Sequence, residues 1–412
     1  MEDSKVAFEI ELDHLLKQYF GEEDLNRINF KMNPRKEEGN RISEMINDFY
    51  RNQLDIDIDS SNERIKIDRT ITFSQNQLKP EKFSEFLLDL GVLCVSKGRL
   101  TLASEIFKKT KKSSTNILHQ AEALLEQANI LSRRGDWPRS LMTLAEAETL
   151  FKKIDESFGL AKCYNLLGSI YGDRGDIEKA KNYFLKSLVL INPETNLEMI
   201  ANLNTNLGII ANIEENRTGA HRHLNDALVI YKKLDNSKRI AEVNYNIGLT
   251  FFDSKDYDSA LDAFDEGIEI AKKERFLSIL CLLYHSKSQV LIAKDDINSA
   301  SEFVDKALEI SHNVDDKLTF GDLYKLKGII ERQLKNYNLS ESYLLNSLRI
   351  NKSLKNEMNV AETSIELGIL YDEIDNSKSK KSYLESALNY YKQINASQKV
   401  KEVETKLGII VA

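Results

Sequence analysis

The chain has 412 residues, a formal net charge of −8 and 30% charged residues. That acidic balance argues against a nucleic-acid partner, and three widely spaced cysteines, Cys94, Cys163 and Cys281, do not make a disulfide framework. No apolar run approaches the roughly 18–20 residues of a membrane span, and Met1-Glu2-Asp3-Ser4-Lys5 lacks the basic start and apolar core of a signal peptide. A soluble, cytoplasmic protein is expected, with no membrane partner.

Residues 1–80 form a segment of their own. Val6 to Phe20 carries Phe8, Leu12, Leu15, Leu16 and Tyr19 at helical spacing, and Gly21 is placed to end that helix. Residues 31–40 read as a loop, and Ile42, Met45, Ile46 and Phe49 suggest a second helix. The period then changes to two at Ile56 and Ile58, and again at Ile65, Ile67, Ile71 and Phe73, which predicts a β-hairpin around Ser60-Ser61-Asn62. Pro80 marks the boundary, so 1–80 is expected to serve as a cap, a dimerisation element or an effector.

From residue 81 the chain repeats. Gly168, Gly208, Gly248, Gly328, Gly368 and Gly408 are forty residues apart or multiples of it, with Ser288 in the vacant place and Ala128 one step before. Twelve residues on, Ser140, Ala180, Ala220, Ala260, Ala300 and Ser340 recur, followed at Ala147, Ser187, Ala227, Gly267, Ala307, Ser347 and Ala387 by a second small residue. Small residues at fixed places let helices approach closely, so each repeat predicts a crossing of two helices. Phe83–Ser96 with Leu100–Lys109 is an irregular first copy; regular copies follow to residue 400, and Val400–Val411 reads as an extra first helix. Leu407-Gly408-Ile409-Ile410 resembles a repeat awaiting a partner, so homodimerisation there, or through 1–80, is an expectation, as is a chain continuing past 412.

Leu167-Gly168-Ser169-Ile170-Tyr171, then Ala180 and Phe184, resembles the tetratricopeptide repeat. The resemblance covers about three-quarters of the chain, in a forty-residue variant with a long inter-repeat turn. It implies an all-α fold: a right-handed superhelical solenoid of antiparallel helix pairs over 81–412, with a small mixed amino-terminal segment. It also implies that first helices line a groove for a protein or peptide ligand. On that mapping the groove residues are Asn165; Asn202, Thr205, Ile209 and Asn212; Tyr245, Leu249 and Phe252; His285 and Gln289; Lys325 and Ile329; Ile365 and Ile369. The apolar members suit an amphipathic helix or mixed peptide, and the amides and hydroxyls would bond its backbone. The lysine–asparagine carboxylate clamp of chaperone-binding relatives is missing, because Ile329 follows Lys325 and Glu242 stands where a lysine is required.

Other chemistry is poorly represented. Asp55-x-Asp57-x-Asp59 begins like a calcium loop, but Ser60 and Lys66 occupy the glycine and glutamate places. His221-x-His223 lacks the i, i+4 spacing of a zinc helix. No phosphate loop, nucleophile elbow or carboxylate pair appears, so no catalytic residue, metal or cofactor is assigned and no enzyme is expected. The function expected is an interaction scaffold or adaptor, in bacterial regulation or signalling by resemblance. The alternative is a peptide-controlled regulator similar to response-regulator phosphatases or pheromone receptors, or the sensory part of a larger signalling protein. Against a DNA-binding effector, 1–80 holds 17 acidic and 12 basic residues.

Overall fold

A computed structural model describes residues 2–25, 58–314 and 317–409. The chain divides into two compact units, Met1–Asn196 and Leu197–Ala412. In the first, α1 (Glu2–Tyr19) and α2 (Ile58–Gln77) precede three helix pairs: α3 (Pro80–Ser96) with α4 (Leu100–Ser113), α5 (Ile117–Arg133) with α6 (Trp137–Lys153), and α7 (Ser157–Asp173) with α8 (Ile177–Val189). The second holds five pairs: α9 (Leu197–Ile213) with α10 (Arg217–Lys233), α11 (Ser237–Asp253) with α12 (Tyr257–Lys273), and α13 (Leu277–Ala293) with α14 (Ile297–Val314). There follow α15 (Lys317–Gln333) with α16 (Tyr337–Ser353), α17 (Glu357–Glu373) with α18 (Ser377–Gln393), and the single helix α19 (Ser397–Lys406). No strand occurs among the described residues. The protein is an all-α solenoid of stacked helix pairs.

Forty residues are divided evenly rather than spent on a long turn. A tetratricopeptide repeat ordinarily spans 34 residues. Here the extra length lies in the helices, which are mostly 17 residues long and joined by three-residue turns within and between pairs. After α11, Lys255 takes φ 60° and its N–H donates to the Phe252 carbonyl at 2.9 Å, while the N–H of Asp256 donates to Phe251 at 3.0 Å. That closes α11 in a Schellman motif. Asp256 then caps α12, its carboxylate accepting from the Ser259 N–H. One residue thus ends one helix and starts the next. The expectation of a long inter-repeat turn is corrected accordingly. Among the described residues the exception is 190–196, where Pro193 cannot supply an N–H, α8 stops at 13 residues, and the two units meet in sequence.

The periodic glycines mark the crossings inside pairs. A Cβ on Gly168 would lie 2.5 Å from the Phe184 ring, one on Gly248 2.4 Å from Phe264, and one on Gly328 2.6 Å from Leu344. Each first helix that carries the glycine therefore presses it against a bulky residue sixteen places on. Where the next small residue is serine, its hydroxyl is satisfied by the same crossing: Ser140 donates to the Ala128 carbonyl at 2.7 Å and Ser340 to Gly328 at 2.8 Å. Gly408 keeps the register but not the role. It takes φ 72° just after α19 ends at Lys406, and nothing approaches its Cβ position. The exposed residues of α19, Lys399, Lys401, Glu402 and Thr405, are polar. The expected helix to Val411 is therefore shorter, and its last residues, 410–412, lie outside the described residues.

The expected second strand, Ile65 to Phe73, is instead part of helix α2. Its buried stripe is Ile67, Thr70, Ile71 and Ser74, a helical spacing that the isoleucines alone disguise. The two hydroxyls can be buried because they bond their own helix, Thr70 to the Lys66 carbonyl at 2.9 Å and Ser74 to Thr70 at 2.7 Å. Ile56, the loop at 31–40 and the helix around Phe49 fall outside the described residues, as do Asp55 and Asp57 of the calcium-like run; Ser60–Lys66 is helical. Leu12, Leu15, Ile67 and Ile71 share one core with Phe83, Phe86 and Leu87, and Tyr19 meets Phe86 edge-on at 5.3 Å. The described part of 1–80 thus packs on the first repeat.

Candidate functional site

In the second unit the first helix of each pair leaves one stripe uncovered by its second helix. In α11 the buried residues are Ala241, Val243, Asn244, Ile247, Gly248 and Thr250. Tyr245, Leu249 and Phe252 fall on the other side and are half-buried, as are Asn202, Thr205, Asn212, His285, Gln289, Lys325, Ile329 and Ile369 at matching places. Ile209 is 37% exposed. The repeat brings Ile209, Leu249, Gln289, Ile329 and Ile369 to the same place of five successive first helices. Ile365 departs from this pattern. It is only 6% exposed, in the core with Leu384, Leu388 and Tyr391, because α19 and α18 close over it. Asn165 is half-buried in α7 and belongs to the first unit.

The aromatic members have two duties. Tyr245 lies 6.3 Å from the Phe264 ring, and Phe252 lies 6.0 Å from Tyr257. Both also pack against the core centred on Phe264. Three of the polar members expected to bond a ligand backbone already have protein partners. Asn202 Oδ1 accepts from the Tyr231 hydroxyl at 2.7 Å, Thr205 donates to the Ala201 carbonyl at 2.9 Å, and Asn212 Nδ2 donates to Asp253 at 2.8 Å. Asn212 Oδ1 accepts from Arg217 at 2.8 Å. Lys325, 16% exposed, is held by Glu362 at 2.5 Å and Asp322 at 3.4 Å. It cannot act as a free anchor for an anionic ligand. Burial, and then the charge of Lys325, push His285 down to about 4, so its ring is neutral at neutral pH.

Beyond the expected residues, charges link neighbouring first helices. Asn359 donates to Asp322 at 2.8 Å, and Arg332 meets Glu366 at 3.2 Å and Glu373 at 2.5 Å; within the last pair, Lys380 of α18 meets Asp372 of α17 at 2.8 Å. Burial raises the Glu366 carboxyl despite Arg332. Spacings of 37 and 41 residues, one repeat less three or plus one, are the signal that could have found Asp322–Asn359 and Arg332–Glu373. Tyr391 of α18 is 2% exposed and its hydroxyl has no hydrogen-bond partner among the described residues. Burial, with Glu362 and Glu402 nearby, pushes it up to about 12. Four repeats earlier Tyr231 holds Asn202, and the residue at the place of Asn202 is Glu362, which is paired with Lys325. Among the described residues no group of three or more His, Cys, Asp or Glu could hold a metal ion, and no helix is long and apolar enough to cross a membrane.

These helix pairs and their uncovered first-helix stripe define a helical-repeat protein of the kind that displays a binding surface. Residues 119–189 and 199–273 match the tetratricopeptide repeat family. Those two stretches carry tetratricopeptide repeats. No curated protein matches it. Among solved structures it is similar to the apo form of the quorum sensor NprR from B. thuringiensis, with 14% identity, TM-score 0.61, and 81% of this chain covering 94% of that one. Aspartyl phosphate phosphatase F from Bacillus subtilis is 14% identical with TM-score 0.53, at 95% and 96% coverage. A signal transduction ATPase with a tetratricopeptide repeat sensor, from Pyrococcus horikoshii, is 16% identical with TM-score 0.61; 83% of this chain covers 52% of it. At such identities the likeness concerns the fold.

Proposed function

We propose that the first-helix face of Leu197–Ala412 binds a segment of a partner protein or a peptide, and that the chain works as a non-enzymatic adaptor in regulation or signalling. The observation that carries this reading is the aliphatic row Ile209, Leu249, Ile329 and Ile369, kept at one place of the repeat and left partly uncovered. Apolar side chains at a fixed spacing on an unpacked stripe offer area that a ligand can bury, while the partnered amides beside them hold the surface rigid. The direct bonds Tyr231–Asn202 and Asn212–Asp253 shift the expected recognition from backbone bonding towards side-chain burial. A second reading, a peptide-controlled regulator, uses the same face; it is motivated by the fold shared with the quorum sensor NprR.

Panning a phage-displayed library of random peptides on the whole chain tests the face. The expected result is a set of peptides retained by the wild type and lost by Leu249→Asp/Ile329→Asp. Ile209→Asp, at the most exposed place in the row, is the control against misfolding, because it replaces little packed surface. Peptides bound equally by wild type and by both variants would move the site elsewhere and refute the reading.

A further inference from the structure

The first unit carries a surface cluster around α8 that the face proposed above does not use. Tyr171 of α7 and Tyr183 of α8 stack in parallel, their ring centroids 5.5 Å apart and their planes at 4°. Tyr164 of α7 lies 6.0 Å from Tyr183, and its hydroxyl donates to Glu148 of α6 at 3.2 Å. Two cations sit on this aromatic stack. The Arg174 guanidinium is 5.9 Å from the centroid of Tyr171, and the Lys186 ammonium is 5.1 Å from that of Tyr183. Both cations are exposed, and neither pairs with a carboxylate among the described residues. Lys179, 5.3 Å from Tyr171, is by contrast held by Asp176 at 2.6 Å. A ring steadies a cation without cancelling its charge, whereas a carboxylate cancels it. Arg174 and Lys186 are therefore held in place and still charged. A second observation is apolar. Helix α8 buries Ala180, Phe184 and Ser187, yet leaves Leu185 42% and Val189 85% exposed, one turn apart. Lys186 stands three residues from Val189, so charge and apolar area adjoin on one helix surface.

We propose that this surface of α8 docks an acidic amphipathic segment of a partner protein, whose carboxylates meet Lys186 and Arg174 and whose aliphatic side chains cover Leu185 and Val189. Charge complementarity names the occupant. From Lys179 to Val189 there are three lysines and no carboxylate, in a chain whose net charge is −8. The nearby carboxylates Asp173, Asp176 and Glu178 all precede that stretch, and the last two complement the amino terminus of α8. A broad anionic surface such as a membrane fits less well, because the exposed Asp173 and Glu178 would repel it. A discrete segment can keep its own carboxylates away from them. The exposed aliphatic pair supplies area to bury, and the cations supply the preference for acidic over neutral or basic segments. Binding weakens with salt, because the charges are at the surface.

The test pans random phage-displayed peptides on the whole chain and sorts those retained by the variant that loses them. The expected finding is a class of peptides that Leu249→Asp/Ile329→Asp still binds and that Arg174→Gln/Lys186→Gln loses, enriched in Asp or Glu beside Leu, Ile or Val. Fluorescence anisotropy with one synthetic member of that class should show about tenfold weaker binding to Arg174→Gln/Lys186→Gln, the loss of two surface ion pairs together. Lys186→Arg should keep the affinity, because it keeps the charge, and Val189→Asp should abolish binding. All four positions are exposed or half-buried, so melting temperatures close to that of the wild type are expected and show that each variant is folded. The absence of such a class, or a class of neutral or basic peptides, would overturn the inference and leave the first-helix face untouched. An acidic class bound equally by Arg174→Gln/Lys186→Gln would overturn it too. Sedimentation of the wild type with phosphatidylserine vesicles, lost in the same variant while no acidic peptide is retained, would replace the protein partner with a membrane.

Discussion

Gly248→Ala is the sharpest test of how the repeats are packed. The new Cβ would stand 2.4, 2.5 and 2.8 Å from three carbons of the Phe264 ring, where ordinary contact begins near 3.4 Å. Phe264 is fully buried at the centre of its core and has no free side to which it can retreat. Overpacking of this kind costs about 1–3 kcal/mol, against a gain of roughly 1 kcal/mol from replacing glycine by alanine in a helix. The net change is a loss of up to about 2 kcal/mol. The protein itself supplies the compensation, because Ala128 stands in the glycine register and Leu144, sixteen residues on, is fully buried. Gly248→Ala/Phe264→Leu should therefore be more stable than the sum of the two single changes predicts, a positive coupling readable in a double-mutant cycle. Gly172→Ala is the internal control: its Cβ would meet only Ala180 at 3.8 Å, so the helix gain should appear unopposed. Thermal and urea melts give the global change, and hydrogen exchange at α11 and α12 locates it, since repeats open in part. A stabilising Gly248→Ala, or a cycle without coupling, would refute the account of the forty-residue glycine as a steric requirement.

Leu12→Ala should destabilise by about 2–5 kcal/mol, since Leu12 is fully buried in the core shared with Phe83 and Phe86; an unchanged melting temperature would show that α1 does not hold the first repeat. His285 titrates near 4 in the folded chain against about 6.5 when unfolded. Above 6.5 the two states bind the same proton count. As pH falls towards 4 the unfolded chain takes up a proton that folded His285 refuses, so stability is lost across that window, on the order of 3 kcal/mol. His285→Gln should flatten the fall of the urea midpoint between pH 6.5 and 4 relative to wild type, and parallel curves would refute the burial of a neutral ring.

By itself the amino-acid sequence determined the repeat, its forty-residue length and which residues of a first helix face away from its partner. Those follow from local rules: small residues mark crossings, and a helix carries buried and uncovered stripes on opposite sides. Leu249, Ile329 and Ile369 were legible in this way. Helix α2 was not, because Thr70 and Ser74 complete its buried stripe and their hydroxyls are satisfied only once the helix exists. The division of forty residues into two long helices and two short turns was also hidden, since Lys255, Asp295 and Lys335 do not announce a left-handed backbone as glycine does. Only the tertiary structure decided that Ile365 belongs to the core, that Lys325 is held by Asp322 and Glu362, and that the Tyr391 hydroxyl is buried without bonding to a described residue. Burial and pairing across repeats depend on what a neighbouring helix brings to the same place, and no residue carries that information alone.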